Sequence, residues 1–140
     1  MLEIDGSKGE GGGQLLRCTV ALSAVTGKEV RISNIRAKRP SPGLAPQHLA
    51  AVRGVASLSS ASVEGASAGS KELTFRPGRI SGGALRVDVG TAGSISLVLQ
   101  ACLLPSVRAE TRTTIDISGG TNVRWSPPID YYRLVLLPLL

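Results

Sequence analysis

Two kinds of apolar segment alternate along this chain, and their alternation restricts the fold more than any other feature. Short segments of strand pattern are predicted at 2–5, 29–35, 61–64, 72–76, 84–89 and 113–118. Longer segments with helical periodicity are predicted at 14–25, 46–59 and 96–104, with a last helix that Asp130 caps. Such alternation predicts an α/β (α+β) sandwich, in which two helices pack on one face of each mixed sheet.

The order of these segments repeats. Residues 1–80 give β-α-β-α-β-β, and residues 81–140 begin the same order again but lack the closing strand pair. The sequence therefore predicts two βαβαββ units within one larger domain, the second of them incomplete. Because residues 134–140 are almost all apolar, we expect this chain to be the N-terminal part of a longer protein. The alternative is a last helix that packs on its own sheet or on a twin subunit, which leaves a homodimer open.

The net charge and the composition indicate which binding partners and which cell compartment to expect. The 140 residues carry 16 Lys and Arg against 10 Asp and Glu, a net charge of +6 that favours polyanionic partners. No apolar run approaches the roughly 20 residues of a membrane span, and no signal pattern precedes the first strand. A cytoplasmic protein without membrane contact is predicted. Aromatic residues make up 3% of the chain, so nucleic-acid contacts should be mainly electrostatic. Cys18 and Cys102 lie in apolar helical segments and are predicted to be buried.

The stretch GEGGGQLLR, residues 9–17, places glycines directly before the first helix. Glycines allow the backbone to direct several N–H groups at one point, and a helix N-terminus adds partial positive charge there. The side chains of Gln14 and Arg17 should emerge beside that point, which favours an anion site. The stretch lacks the GK[ST] ending of a Walker A loop and the third glycine of GxGxxG. A structural turn with an incidental arginine remains the alternative.

Glu10 lies inside this glycine-rich loop, where its carboxylate would repel a phosphate. A hard divalent cation held by one carboxylate and by nucleotide phosphates would remove the repulsion. Glu10 is therefore a candidate ligand of Mg²⁺ or Mn²⁺, and the alternative is a solvated glutamate.

A second cluster, IRAKRPSPGLAPQH, contains Arg36, Lys38 and Arg39 after a strand and Gln47 and His48 at the next helix start. Arginine binds phosphate through two parallel hydrogen bonds, so this cluster also favours an anion-binding site. A solvated basic loop and a structural histidine are the alternatives.

A third small-residue turn, residues 91–94, precedes the helix that carries Gln100. Its place in the second unit resembles that of the glycine-rich loop in the first, so both turns could face one cleft. For Gln100, a hydrogen bond within the core is the alternative.

Five stretches, taken together, resemble the RNA 3′-terminal phosphate cyclase family. They are EIDGSKGEGGGQLLR, NIRAKRPSPGLAPQHL, GSKELTFRPG, VGTAGSISLVLQ and ISGGTNVRWSPPIDYYR, and they follow one another from end to end of the chain. The resemblance implies an enzyme of the ligase class that joins an RNA 3′-phosphate to AMP from ATP through an AMP-histidine intermediate. The neighbouring 2′-hydroxyl then displaces AMP and leaves a 2′,3′-cyclic phosphate. It also implies repeated βαβαββ units with a small inserted domain.

The resemblance also implies roles for individual residues. Glu10 would hold the metal, and Arg17, Arg36 and Arg39 would bind triphosphate or the RNA 3′-phosphate. The residues implied to line the same cleft are Gln14, Gln47, His48 and Gln100, and Pro127 would pack on adenine.

Two departures from the family pattern are present. Asn122 stands where many members have aspartate, and the family's nucleophilic histidine would lie beyond Leu140, so this chain alone should be inactive. A cyclase-like RNA-binding protein of ribosomal RNA processing, without chemistry, is the alternative; the retained Glu10, Arg17, Arg36, Arg39 and Gln100 favour the enzyme.

Overall fold

The computed structural model describes residues 1–140 and contains six strands, three long helices and a C-terminal helical segment. The strands are β1 Leu2–Asp5, β2 Val30–Ser33, β3 Ser62–Glu64, β4 Leu73–Arg76, β5 Gly83–Asp88 and β6 Thr113–Ser118. The long helices are α1 Gly13–Thr26, α2 Pro46–Leu58 and α3 Ile95–Val107. Every predicted element is present, in the predicted order.

The strands form two sheets. The first has the order β1-β2-β4-β3, with β1 parallel to β2 and the other pairs antiparallel, so it is mixed as predicted. The second sheet contains only the parallel pair β5-β6, and no further strand follows β6. The chain therefore has the predicted mixed α/β (α+β) fold, but its second sheet is not mixed.

One hydrophobic core joins the two sheets through the helices. In β2, Val30 and Ile32 are buried while Arg31 between them is exposed, which is the alternation of a strand with one covered face. The same core cluster includes Phe75 of the first sheet and Val87 of the second. Helix α3 packs on both α1 and α2, so residues 1–80 and 81–140 share one core.

The contact of α2 with α3 and β5 depends on Gly54. A Cβ atom at this position would lie 2.8 Å from Cys102 Sγ of α3 and 3.4 Å from Val87 Cγ2 of β5. Because real Cβ atoms do not approach a neighbour that closely, glycine sets the spacing between these elements.

The C-terminal helical segment consists of Ile129–Tyr131, a π-helical turn Tyr132–Leu136, and Leu137–Leu139. Its N-cap is Pro128 and not Asp130, so the predicted cap is wrong. Asp130 lies in the first turn and pairs with Arg133 at 3.2 Å. Proline suits a helix start because it donates no backbone hydrogen bond there. No helix of the structure has the length and apolar character to span a membrane.

The two cysteines differ in environment. Cys102 is fully buried, and burial raises the pKa of its thiol to about 12. Cys18 is exposed, so the prediction that both thiols are buried is wrong for Cys18. Helix α1 is apolar nearly all round, and periodicity alone could not show which of its faces meets the core.

Candidate functional site

A cleft of about 1130 Å³ opens where the starts of α1 and α2 meet residues 94–97 and 123–126. Glu10 is the one carboxylate in its lining. The lining includes five cationic side chains: Lys8, Arg17, Arg36, Arg39 and Arg124. A cleft with this excess of positive charge is suited to a multiply charged anion.

The glycines before α1 leave room for the basic residues of the second cluster. Gly11 has a φ of 57°, a conformation that glycine adopts without cost. A Cβ atom on Gly12 would lie 2.7 Å from Arg39 Nη2, and one on Gly13 would collide with His48 Nε2. Glycine is therefore required at Gly13, where the buried His48 lies against the loop, whereas at Gly12 the flexible end of Arg39 could shift.

Two helix N-termini open into the cleft without a side-chain cap. Helix α1 begins after Gly12 and α2 after Ala45, and neither residue provides a capping hydrogen bond. Helix α3 differs, because the hydroxyl of Ser94 accepts a hydrogen bond from the Leu97 N–H at 3.3 Å. The first-turn N–H groups of α1 thus have no capping side chain, and an anion in the cleft could accept from them. At the start of α2, Pro46 has no N–H and the His48 N–H donates to the Ala45 carbonyl at 3.0 Å, which leaves the N–H of Gln47.

Arg17 and His48 are the buried side chains of the cleft that have an unpaired nitrogen. Arg17 is 8% exposed and His48 is 4% exposed, yet Arg17 Nε and His48 Nδ1 have no hydrogen-bond partner within the protein. Leaving such atoms unpaired is unfavourable. Both nitrogens are covered by the protein, so a ligand in the cleft would meet the other nitrogens of the Arg17 guanidinium, which lines it.

The charge state of His48 follows from its surroundings. Burial, together with the nearby charges of Arg36 and Arg17, lowers the pKa of His48 to about 4. The imidazole is therefore neutral at pH 7 and can both donate and accept a hydrogen bond. Burial also lowers the pKa of Arg17, although an arginine still keeps its charge at neutral pH.

The second basic cluster lies close to the glycine-rich loop. Arg36 has a φ of 54°, and its Nη1 donates to the Gly43 carbonyl at 2.8 Å, which holds the guanidinium beside the cleft. Lys38 Nζ donates to the Gly9 carbonyl at 2.9 Å and joins the two loops, but Lys38 is not part of the cleft lining. The structure thus brings together the two sequence clusters predicted to bind an anion.

Glu10 is the candidate metal ligand. It lies 3.7 Å from Arg39 Nη2, and its side chain is 94% exposed. No group of three or more His, Cys, Asp or Glu side chains is arranged to hold a metal ion. Such an exposed lone carboxylate fits Mg²⁺, which keeps several waters and takes its other ligands from nucleotide phosphates.

Gln47 lines the cleft, and its Oε1 accepts a hydrogen bond from the Ser94 N–H at 3.1 Å. Ser94 and Ser96 share a bond of 2.8 Å between their hydroxyls, and Ser96 Oγ donates to the Pro127 carbonyl at 2.7 Å. This series of bonds, from Gln47 to Pro127, connects the start of α2 to the segment that forms the far wall of the cleft.

Two predicted residues lie outside the lining of this cleft. Gln100 is exposed on α3, about one turn further along its helix than Gln14 is along α1, so the two positions are not equivalent. Pro127 follows the lining residue Ser126 but is not itself in the lining. By contrast, the lining includes the predicted residues Glu10, Gln14, Arg17, Arg36, Arg39, Gln47 and His48.

The sequence analysis missed Arg124 and Trp125, which form part of the far wall. Trp125 is 89% exposed, and the Arg124 guanidinium lies 5.3 Å from the centre of its ring. Both lie in a loop, where no hydrophobic periodicity distinguishes buried from exposed positions. Because aromatic residues make up only 3% of the chain, a functional role for its single tryptophan was not predicted. The run RWSPP, with the chain's one tryptophan before two prolines, was the available indication.

Comparison with known proteins identifies one family. The family model for RNA 3′-terminal phosphate cyclase matches residues 8–140. An RNA 3′-terminal phosphate cyclase of Archaeoglobus fulgidus is 56% identical over 140 residues, which are 100% of this chain and 43% of that protein. One from Nitrosospira multiformis is 58% identical over 140 residues, 100% of this chain and 40% of that protein. One from Pyrococcus furiosus is 60% identical over 131 residues, 94% of this chain and 38% of that protein.

This chain therefore spans about two-fifths of the length of these relatives. The matched residues include both sequence clusters, the residues that form the hydrogen bonds from Gln47 to Pro127, and the C-terminal helical segment. With the fold, the cleft and this match taken together, the chain belongs to the RNA 3′-terminal phosphate cyclase family.

Proposed function

We propose that the cleft binds the 3′-terminal phosphate of RNA together with the phosphates of ATP. The reaction that it serves is the ATP-dependent conversion of that RNA phosphate to a 2′,3′-cyclic phosphate through an enzyme-AMP intermediate. The observation that carries the proposal is a single cleft that brings the buried Arg17 together with Arg36 and Arg39 of the basic cluster at the uncapped start of α1.

The proposed chemistry places negative charge in the cleft at each step. Once the nucleophilic histidine has attacked the α-phosphorus of ATP and displaced pyrophosphate, an oxygen of the RNA 3′-phosphate attacks the phosphorus of the histidine-bound AMP, and the histidine nitrogen leaves. The 2′-hydroxyl then loses its proton and attacks the 3′-phosphorus, and AMP departs with the electrons of the broken P–O bond. Arg17, Arg36 and Arg39 neutralise the charge that spreads over the phosphate oxygens in both steps.

A divalent ion fits at Glu10, and Mg²⁺ or Mn²⁺ there would neutralise ATP phosphates that the carboxylate alone would repel. The exposed pair of Glu10 with Arg39, at 3.7 Å, is weak and would give way to such a cation.

His48 acts in the proposed reaction as a hydrogen-bonding group toward the substrate phosphate and not as the nucleophile. Its Nε2 lies beside Gly13 at the start of α1, and its Nδ1 is buried. We place the nucleophilic histidine outside residues 1–140, so this chain alone is expected to bind substrate without becoming adenylated. Intact mass after incubation with ATP and Mg²⁺ tests this, and a gain of one AMP would show that the nucleophile is in the chain.

The binding proposal is tested with one short RNA that carries either a 3′-phosphate or a 3′-hydroxyl, labelled at its 5′ end. We expect the 3′-phosphate form to bind at least about tenfold more tightly, because charge-assisted hydrogen bonds to the terminal phosphate add to the shared contacts. Arg36→Gln should remove most of this difference. The matched control is Arg53→Gln, which removes the same charge from an exposed position on α2 outside the cleft.

Equal affinity for the two RNA ends would contradict the proposal. Binding of RNA regardless of its 3′ end, without any affinity for ATP, would instead favour a non-catalytic cyclase-like protein of ribosomal RNA processing.

A further inference from the structure

Trp125 is the chain's one tryptophan, and it forms part of a cleft wall while remaining 89% exposed. Its φ is 66°, a left-handed conformation that is uncommon for a bulky residue. Nothing in the core requires it, because the ring packs against no buried cluster. An exposed indole held in a rare backbone conformation beside a charged cleft calls for an explanation by function.

The backbone around Trp125 is well anchored although the ring is exposed. The Ser126 N–H donates to the Val123 carbonyl at 3.2 Å, and Ser126 Oγ donates to the same carbonyl at 2.6 Å, which closes a tight turn around the tryptophan. On the other side, Ser96 Oγ holds the Pro127 carbonyl at 2.7 Å. The ring is thus presented to the cleft by a turn that is fixed at both ends.

Arg124 completes this surface. Its guanidinium lies 5.3 Å from the centre of the Trp125 ring, within the range of a cation–π contact. A cation on one face of the indole leaves the other face available for an electron-rich planar group. It also adds positive charge next to that group, where a nucleotide carries its phosphate.

We infer that Trp125, backed by Arg124, is a stacking platform for a nucleobase at the 3′ end of the RNA whose terminal phosphate lies in the cleft. This inference rests on the proposed function. Stacking accepts any base, because every base has a π-face, and so it suits an RNA end of variable sequence. The adenine of ATP is a poorer candidate, because small ligands are normally enclosed by their pockets and Trp125 is open to solvent.

The single tryptophan allows a direct test, since its fluorescence reports on Trp125 alone. The probe is a four-nucleotide RNA with a 3′-phosphate, compared with the same RNA lacking the terminal and penultimate bases, with inorganic phosphate, and with ATP. We expect the complete RNA to quench the fluorescence. The abasic RNA, phosphate and ATP should leave it nearly unchanged.

Affinity provides the second measurement, made with 5′-labelled RNA so that it does not depend on tryptophan. Trp125→Ala should weaken binding of the complete RNA by about tenfold to a hundredfold, the range expected for one lost stacking contact. It should leave the affinity for the abasic RNA unchanged. Trp125→Phe keeps an aromatic face and should restore most of the affinity.

The outcomes separate this inference from the proposed function. If binding depends on the 3′-phosphate but neither fluorescence nor Trp125→Ala distinguishes the complete from the abasic RNA, the platform is refuted and the proposed function stands. Quenching by ATP alone would assign the ring to the nucleotide and would also refute the inference. If no RNA binds in a 3′-phosphate-dependent manner, the proposed function itself fails.

Discussion

At the scale of single residues, Arg17 and His48 are the buried titratable side chains of the cleft. Both are almost fully buried, and each leaves one nitrogen without a partner. A protein normally pairs its buried polar atoms, so these two unpaired nitrogens lower the stability of the fold at the cleft. His48 is neutral because burial, together with the nearby charges of Arg36 and Arg17, disfavours a further positive charge there.

His48 should make stability depend on pH. Its pKa is lowered from 6.5 to about 4 in the folded chain, so between these values the unfolded chain binds a proton that the folded chain does not. The free energy of unfolding should therefore be fully maintained above pH 6.5 and should fall by on the order of 3 kcal/mol as the pH drops to 4. Urea denaturation at pH 7, 5.5 and 4.5 measures this change.

The matched variant is His48→Gln, which keeps hydrogen-bonding capacity but does not titrate. It should lose most of the pH dependence in this window. Asp5 cannot produce the effect, since its pKa is lowered to about 2, mainly by hydrogen bonds from Ser7, and its contribution changes below pH 4. An identical slope in the variant and the parent would mean that His48 is not held neutral.

Arg39 should contribute to discrimination between RNA ends. Its guanidinium lies against Gly12 at the start of α1 and near Glu10 at the cleft edge. Arg39→Ala should reduce the preference for a 3′-phosphate over a 3′-hydroxyl about tenfold, because one charge-assisted contact to the phosphate is lost. Equilibrium binding of the two labelled RNAs measures the ratio, and a ratio equal to that of Arg53→Gln would remove Arg39 from the site.

At the scale of the elements, helix starts and helix contacts position the site. The starts of α1 and α2 face the same cleft because both helices pack with α3 into one layer, and that packing depends on the absence of a side chain at Gly54. Small changes at this contact should therefore affect the stability of the whole chain.

Gly54→Ala tests this contact. In an isolated helix this change stabilises by about 1 kcal/mol, but here the new methyl group meets Cys102 Sγ, and we expect a net loss of about 1–3 kcal/mol. The cost should be smaller in a Cys102→Ala background, where the sulfur is absent. A double-mutant cycle by chemical denaturation gives the coupling, and additive effects would show that the two residues do not limit the helix spacing.

Elements with strong periodicity were predictable from the sequence, and sites that depend on contacts between distant residues were less so. Strand β6 has the predicted bounds, and α2 begins at the predicted Pro46. The positions of Cys18 and Gln100 were not predictable, because they depend on which face of a uniformly apolar helix meets the core. The cleft was predicted from its glycines and arginines, whereas Trp125 lies in a loop whose course only tertiary contacts define.

At the scale of the whole molecule, the cleft concentrates charge. The chain has a net charge of +6, and five of its cationic side chains line this one cleft with a single carboxylate. Binding of RNA should therefore depend steeply on salt. For three to five neutralised phosphates, the plot of log Kd against log salt should have a slope of roughly 2 to 3.5.

Titrations at several salt concentrations measure this slope. Arg124→Gln should lower it by about 0.7, the value of one contact to single-stranded RNA. Arg86→Gln, on the exposed side of β5, should not change it. A slope near zero for the parent chain would show that the cleft does not bind the RNA backbone.

The hydroxyl of Ser94 makes the first long helix of one half of the chain start differently from that of the other half. Each half presents a strand, a small-residue turn and a helix, but α1 begins with bare glycine while α3 is closed by its own serine. One hydroxyl group thus satisfies the start of α3 from within the chain, whereas the start of α1 is left for a ligand. Two segments with the same order of strand, turn and helix can therefore offer different helix starts to one cleft because of a single capping side chain.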